Sequence, residues 1–171
     1  MAVRHIRLFP DFVLQTPCRP IVRIGPKTSD LLRDLKHTLQ ASRGVGLAAP
    51  QIGISLQAAV INVAKDPRKR FLGGSNHGLA VVINPQIVEA RGLERPREGC
   101  LSVPDLLANV RRYAWVRVRA LNAEGRQWIL EVEGFEALAF QHEIDHLQGR
   151  LFLDRVADLS TDLYRRQDLQ R

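Results

Sequence analysis

The stretch Gln141-His142-Glu143-Ile144-Asp145-His146 restricts this chain more than any other, because its two imidazoles act together only if they share a helix. Spaced four residues apart, they leave one helical face a turn apart, so both can reach a single metal ion while Glu143 stands beside it. Two neutral imidazoles hold the ion, and a carboxylate outside the ligand set takes a proton from the attacking water. That division of labour is why His-Glu-x-x-His reads as hydrolase chemistry. Histidines on an amphipathic helix are more often ordinary surface or half-buried groups, so six residues alone do not settle the matter.

The helix that carries the pair spans residues 134–148 and stops at Gly149. Leu138 lies one turn before His142 and Phe135 three residues before Leu138, so an apolar wall is expected beside the ion. Earlier in the chain, Leu31, Leu32, Leu35 and Leu39 recur at helical spacing, with a start expected at Thr28 or Ser29 and a stop at Gly44. Residues 8–21 hold three prolines and read as an irregular lead-in with one helical turn capped by Asp11. Strands are expected at 56–63 and 79–84, and residues 115–121 alternate apolar against charged before a turn at 122–125 and a returning strand at 128–132. Residues 65–78 form a polar, glycine-rich loop, basic at its start, in which His77 has no evident ligand partner.

Length and composition bound the rest. With 171 residues, 45% of them hydrophobic and 25% charged, the chain is expected to fold as one domain over 1–171 without disulfide support. No stretch is apolar for long enough to span a bilayer and the first fifteen residues lack a secretory signal, so no membrane partner and a cytoplasmic location are expected. In a reducing compartment Cys18 and Cys100 read as thiols rather than a disulfide, Cys18 structural in its turn-like Thr16-Pro17-Cys18-Arg19-Pro20 setting. A net charge of +7 suits contact with RNA or an acidic protein surface, and equally a solvated positive face.

Two histidines do not complete a catalytic centre, which needs a third protein ligand and an open position. The downstream continuation x-x-Gly-x-x-His found in one group of peptidases is excluded, because Phe152 stands where its histidine would be. The third ligand is then a carboxylate such as Asp154, or an upstream group. Upstream lies Arg97-Glu98-Gly99-Cys100-Leu101-Ser102, whose thiolate would be a strong ligand for zinc or ferrous ion, although a lone cysteine is commonly a buried structural thiol. Further upstream, Gly44-Val45-Gly46-Leu47-Ala48-Ala49-Pro50-Gln51 gathers small residues around one amide, as where backbone turns sharply or approaches a ligand closely. It is no phosphate loop, since no lysine with serine or threonine follows the glycines.

In order and spacing, these three stretches resemble the signature motifs of peptide deformylases, and the resemblance extends from Phe9-Pro10-Asp11 to Leu151-Phe152. It implies an α+β fold with antiparallel sheets packed around a central C-terminal helix carrying the metal-binding motif. It further implies Cys100, His142 and His146 as ligands of one divalent ion, Fe²⁺ expected, with Zn²⁺, Ni²⁺ or Co²⁺ able to substitute. Glu143 becomes the base, and Gln51 and the backbone N–H of Leu101 the donors to the oxyanion. The implied substrates are N-formylmethionyl nascent peptides, with methionine against Val45, Phe135 and Leu138 and the peptide backbone beside Gly46. One departure is that Leu107 and Ala108 stand where the family commonly has arginine and glycine, while Val110 and Arg112 match.

Two rival readings differ in what they require. A metallopeptidase of the His-Glu-x-x-His type would use Asp154 or a glutamate as third ligand. A small basic RNA-binding protein with a structural metal would need a closed four-ligand site, for which only one cysteine and two histidines are in position. Ribosome contact through a basic surface including Arg165, Arg166 and Arg171 is compatible with a substrate that emerges there.

Overall fold

A computed structural model gives the fold and describes residues 3–65 and 73–166. The expected basic start of the loop at 66–70, and Arg171 of the basic tail, lie outside the described residues. Along the chain come helix α1 (Pro26–Ala41), strands β1 (Gly46–Ala48), β2 (Ala58–Ile61), β3 (Ala80–Glu94), β4 (Arg97–Cys100), β5 (Val103–Asn109), β6 (Arg112–Leu121) and β7 (Gln127–Glu133), then helix α2 (Gly134–Leu147), the short α3 (Leu159–Asp162) and β8 (Leu163–Arg165). One sheet has the order β1-β2-β3-β6-β7 and the other β4-β5-β8, with every strand pairing antiparallel. The architecture is α+β, with the metal-motif helix against the larger sheet.

Helix α1 buries Leu31, Leu32, Leu35 and Leu39, as their spacing predicts, but its ends differ from expectation. It begins at Pro26, whose fixed φ and missing N–H suit a first helical position, while the Thr28 hydroxyl turns back to the Arg23 carbonyl at 3.2 Å. It ends at Ser42, whose N–H reaches the carbonyls of Thr38 and Leu39 and whose hydroxyl donates to Leu39 at 2.9 Å. Gly44 is therefore not the cap. Its small size answers to another neighbour, because a Cβ there would lie 2.7 Å from Leu101 Cδ1.

Strand β3 runs well past the expected end at residue 84. Asn84 takes φ 50° and the register with β6 shifts between Ile83 and Gln86 and again between Ile87 and Glu89, so a bulge absorbs Pro85 and the ladder resumes. The Asn84 side chain pairs with Ile21 like a piece of strand, accepting its N–H at 2.9 Å and donating to its carbonyl at 2.8 Å. The expected hairpin at 115–132 is present, with β6 starting earlier, at Arg112. Strand β4 of the smaller sheet has no counterpart in the sequence pattern, because Arg97-Glu98-Gly99-Cys100 shows no apolar alternation and is held as a strand by pairing with β5.

Helix α2 matches its expected range closely and is covered on almost every side. Ala137, Phe140, Ile144 and Leu147 share one core cluster with Val116, Val118, Leu130 and Val132 of β6 and β7. Burying side chains the size of Phe140, Ile144 and Leu147 stabilises by roughly 2 kcal/mol each. Gln141 adds direction, bonding both the N–H and the carbonyl of Tyr113 at 2.9 and 2.8 Å, so the rotation of α2 over the sheet is set one residue before His142. Gly149 ends the helix region at φ 71°, where a Cβ would lie 2.7 Å from the Pro17 nitrogen.

Candidate metal centre

Where α2 passes the turn between β4 and β5, Cys100, His142 and His146 converge. Their ligand atoms all lie within 4.8 Å of one another, and among the described residues no other group of three such side chains does so. Ligands bound to one ion at about 2.0–2.3 Å stand roughly 3.5 Å apart at tetrahedral angles, so the cluster has the right size for a metal ion. Cys100 Sγ is 3.3 Å from His146 Nε2 and accepts the Ser102 N–H at 3.3 Å. Burial acts to raise the Cys100 thiol, but His146 and His142 outweigh it and hold it well below its ordinary value, as a metal-ligating thiolate requires.

His142 is oriented from behind. Its Nδ1 lies 2.9 Å from Glu98 Oε2, and with a carboxylate there to accept, Nδ1 is the nitrogen that donates and Nε2 the one that would be offered to an ion. Glu98 is in turn gripped by Arg112 at 2.7 and 3.0 Å. Burial tends to raise the Glu98 carboxyl, yet bonds from His142 and Arg112 bring it down to about 2. Arg112 also donates to Asp145 at 2.5 Å, and Arg155 closes on the same carboxylate at 2.6 and 3.0 Å. On the remaining side the Phe152 ring, which replaces the peptidase histidine, lies nearly parallel to His142 with centroids 6.5 Å apart.

Glu143 is buried next to these ligands, and its Oε2 has no hydrogen-bond partner among the described residues. Burial pushes its carboxyl up to about 7, with His142 and His146 pulling the other way. His146 Nδ1 is likewise buried without a partner. A buried, unpaired carboxylate oxygen beside a ligand cluster is costly unless a reacting group or ion uses it.

The other expected residues surround this point. Gln51 is buried, its carbonyl oxygen accepting the Ala48 N–H at 2.9 Å and its amide nitrogen 3.1 Å from Ser102 Oγ and 3.6 Å from Cys100 Sγ. Leu101 sits in the β4–β5 turn and packs against Gly44. Gly46 opens β1, an edge strand of the larger sheet, and faces Glu143. Val45 and Phe135 pack at the edge of the α2 core cluster, and Leu138 is half-buried on the His142 face. Asp154 turns away, accepting the Leu151 N–H at 2.7 Å, and is not among the gathered groups. Ala108 is fully buried in the cluster around Cys100, and Leu107 pairs with Gly99 and Tyr164 across the smaller sheet.

The Glu98–Arg112–Asp145–Arg155 chain and Ser102 were not singled out as site groups from the sequence. Glu98 and Ser102 stand two residues on either side of Cys100 and Asp145 one residue before His146, all inside the quoted motifs, and Arg112 matches the family pattern, which together are the local signal. Nothing near Arg112 in the chain points to Asp145, 33 residues later.

A family model described as polypeptide deformylase matches residues 3–162. The chain belongs to the peptide deformylase family. It is 46% identical over 156 residues to peptide deformylase 1 of Bacillus cereus, which covers 91% of this chain and 94% of that protein. A peptide deformylase structure from Legionella pneumophila superposes with TM-score 0.83 at 38% identity, covering 92% of this chain and 88% of that one. A class I type b peptide deformylase from Acinetobacter baumannii, solved with Met-Ala-Ser bound, gives TM-score 0.84 at 30% identity over 91% of this chain and 99% of that one. As a member of this family the chain is a hydrolase of protein biosynthesis that removes the N-formyl group from nascent peptides, and its Cys100, His142 and His146 cluster could hold a metal ion.

Proposed function

We propose that Glu143 is the base and proton carrier of this hydrolysis, acting on N-formylmethionyl peptides next to Cys100, His142 and His146. The observation that carries the reading is a buried Glu143 carboxylate with one oxygen unpaired, beside three gathered ligand atoms. Cys100, His142 and His146 would hold a divalent ion, which would supply Lewis acidity for the hydrolysis. Glu143 Oε2 accepts the water proton as the new C–O bond forms at the formyl carbon. The Gln51 amide N–H that faces Cys100 Sγ, together with the Leu101 backbone N–H, donates to the oxyanion, each donor contributing roughly 3 kcal/mol. Glu143 then returns the proton to the leaving nitrogen, the C–N bond breaks, and formate and a free methionine amine depart.

Substrate placement follows from the same surroundings. The open edge of β1 at Gly46 can accept an extended peptide by strand addition, directing the first side chain toward Val45, Phe135 and Leu138. The Met-Ala-Ser bound to the Acinetobacter relative supports a peptide ligand beginning with methionine. Fe²⁺ is the proposed physiological ion, although one thiolate and two imidazoles also suit zinc, nickel and cobalt. We place the enzyme in the cytoplasm, where formylated chains are made. Among the described residues no helix is long and apolar enough to cross a membrane. Arg165 and Arg166 are exposed and are proposed to face the ribosome. Neutralising both should weaken ribosome co-sedimentation without changing activity on free peptide.

Formate release and metal content measured on one purified sample test the central reading. Stoichiometric metal with release of formate from formyl-methionyl peptide, and no acetate or free amine from an acetylated analogue, is expected. Metal-loaded protein that leaves the formyl peptide intact would overturn it.

A further inference from the structure

Glu136 is a fully buried carboxylate that the chemistry at Cys100, His142 and His146 does not use. Its bonds go to one short segment: Ser75 Oγ donates to Oε2 at 2.5 Å, the His77 N–H donates to Oε1 at 2.8 Å, and His77 Nδ1 lies 2.8 Å from Oε2. The same segment is fastened to the start of α2 by backbone. Glu133 donates its N–H to Ser75 Oγ at 2.9 Å, and Gly74 forms an antiparallel bridge with Gly134. The approach is close, since a Cβ on Gly74 would lie 2.3 Å from the Glu133 carbonyl oxygen and one on Gly134 2.7 Å from that of Gly73.

Gly73, Gly74 and Gly78 all take positive φ, and such a glycine-rich backbone loses much entropy when held in one place. Charge-assisted bonds converging on a carboxylate that water does not reach can hold it with a defined geometry. Behind the segment is a cavity of about 170 Å³ lined by Val63, Ala64, residues 73–76 and Phe135. Phe135 immediately precedes Glu136. The latch and the wall of the cavity are therefore consecutive residues of one helical turn.

We propose that Glu136 is a positioning residue for substrate selection. By holding Ser75 and His77 against the first turn of α2, it sets the wall behind Phe135 and with it the width of the methionine pocket. This rests on the assignment of Phe135 to that pocket made above. An apolar side chain of similar volume can fill the place of Glu136, but it leaves the Ser75 hydroxyl and the His77 N–H without their partner, so some loss of stability accompanies the change. What distinguishes a positioning role from a purely structural one is that losing the bonds to Ser75 and His77 also changes selectivity, and not stability alone.

The test compares the metal-loaded parent with Glu136→Leu, Glu136→Gln and His77→Ala on formyl-methionyl and formyl-leucyl dipeptides. Glu136→Leu should raise KM for the methionyl substrate about tenfold with kcat within about twofold, and narrow the preference for methionine by about tenfold. Glu136→Gln can still accept from the His77 N–H and donate to Ser75, and should recover most of the parent behaviour. His77→Ala, altered on the half-exposed side of the latch, should fall between and serves if Glu136→Leu does not fold. A lower melting temperature with KM and preference unchanged in all three overturns the proposal. Phe135→Ala separates the two levels of inference. If it alters the preference while the latch variants do not, the latch proposal fails and the pocket stands; if it also changes nothing, the pocket assignment fails and takes the proposal with it.

Discussion

The Cβ position that Gly46 leaves empty lies 2.2 Å from Glu143 Oε1, well inside contact distance, so the edge strand and the proposed base occupy adjoining space. Gly46→Ala must therefore displace the carboxylate by an ångström or more. A misplacement of that size costs roughly 100-fold in turnover. We expect Gly46→Ala to keep its metal and lose about that much kcat, checked by steady-state deformylation alongside metal analysis. Parent-level turnover would show that Glu143 does not act from this position.

Glu143 and Cys100 should fail in different ways. Glu143→Ala removes the proposed proton carrier and leaves the proposed ligand trio in place, so full metal content with a loss of about 10²–10⁴ in turnover is expected. Cys100→Ala removes the thiolate, and purified protein should carry little metal. Elemental analysis of both variants distinguishes base from ligand, and a Glu143→Ala enzyme working at the parent rate would refute the base assignment.

Glu98 lies 2.9 Å from His142 Nδ1 and directs the opposite nitrogen to the proposed ion. Glu98→Gln can accept that N–H through its carbonyl oxygen but brings no charge, so metal affinity should fall by about 10–100-fold. Competition against a chelator of known affinity reads this directly. Unchanged affinity would mean that the ring is oriented by packing against Phe152 rather than by the carboxylate.

Arg112 has 2% of its side chain exposed and joins Glu98 to Asp145, whereas Arg155, on the same Asp145, has 37% exposed. Arg112→Met leaves two buried carboxylates without their shared cation and should destabilise by ~3–5 kcal/mol. Arg155→Ala, in wetter surroundings, should lose no more than about 1 kcal/mol. Urea unfolding of the two variants gives the ranking, and an equal loss would contradict the burial argument.

Much of the frame could be read from the chain. The leucines at 31, 32, 35 and 39 marked the inward face of α1, and the 134–148 pattern marked α2, because a helix repeats every few residues and its signal is local. Strand ends were less legible. Asn84-Pro85 looks like a terminator, and only the bulge opposite β6 together with the Asn84 contacts to Ile21 lets β3 continue. The smaller sheet carries no period in Arg97–Cys100 at all, since pairing with β5 and not side-chain alternation makes it a strand.

The sequence alone determined that His142 and His146 share a helix face with Glu143 between them, because 3.6 residues per turn leaves no other outcome for that spacing. It also carried the three motifs by which the family was recognised. Tertiary structure decided how these pieces meet: Cys100 Sγ 3.3 Å from a ring 46 residues away, Arg112 bridging Glu98 and Asp145, Gly46 against Glu143, and Glu136 reaching back to Ser75 and His77. Such contacts depend on how two sheets and a helix pack, and no window along the chain contains both partners.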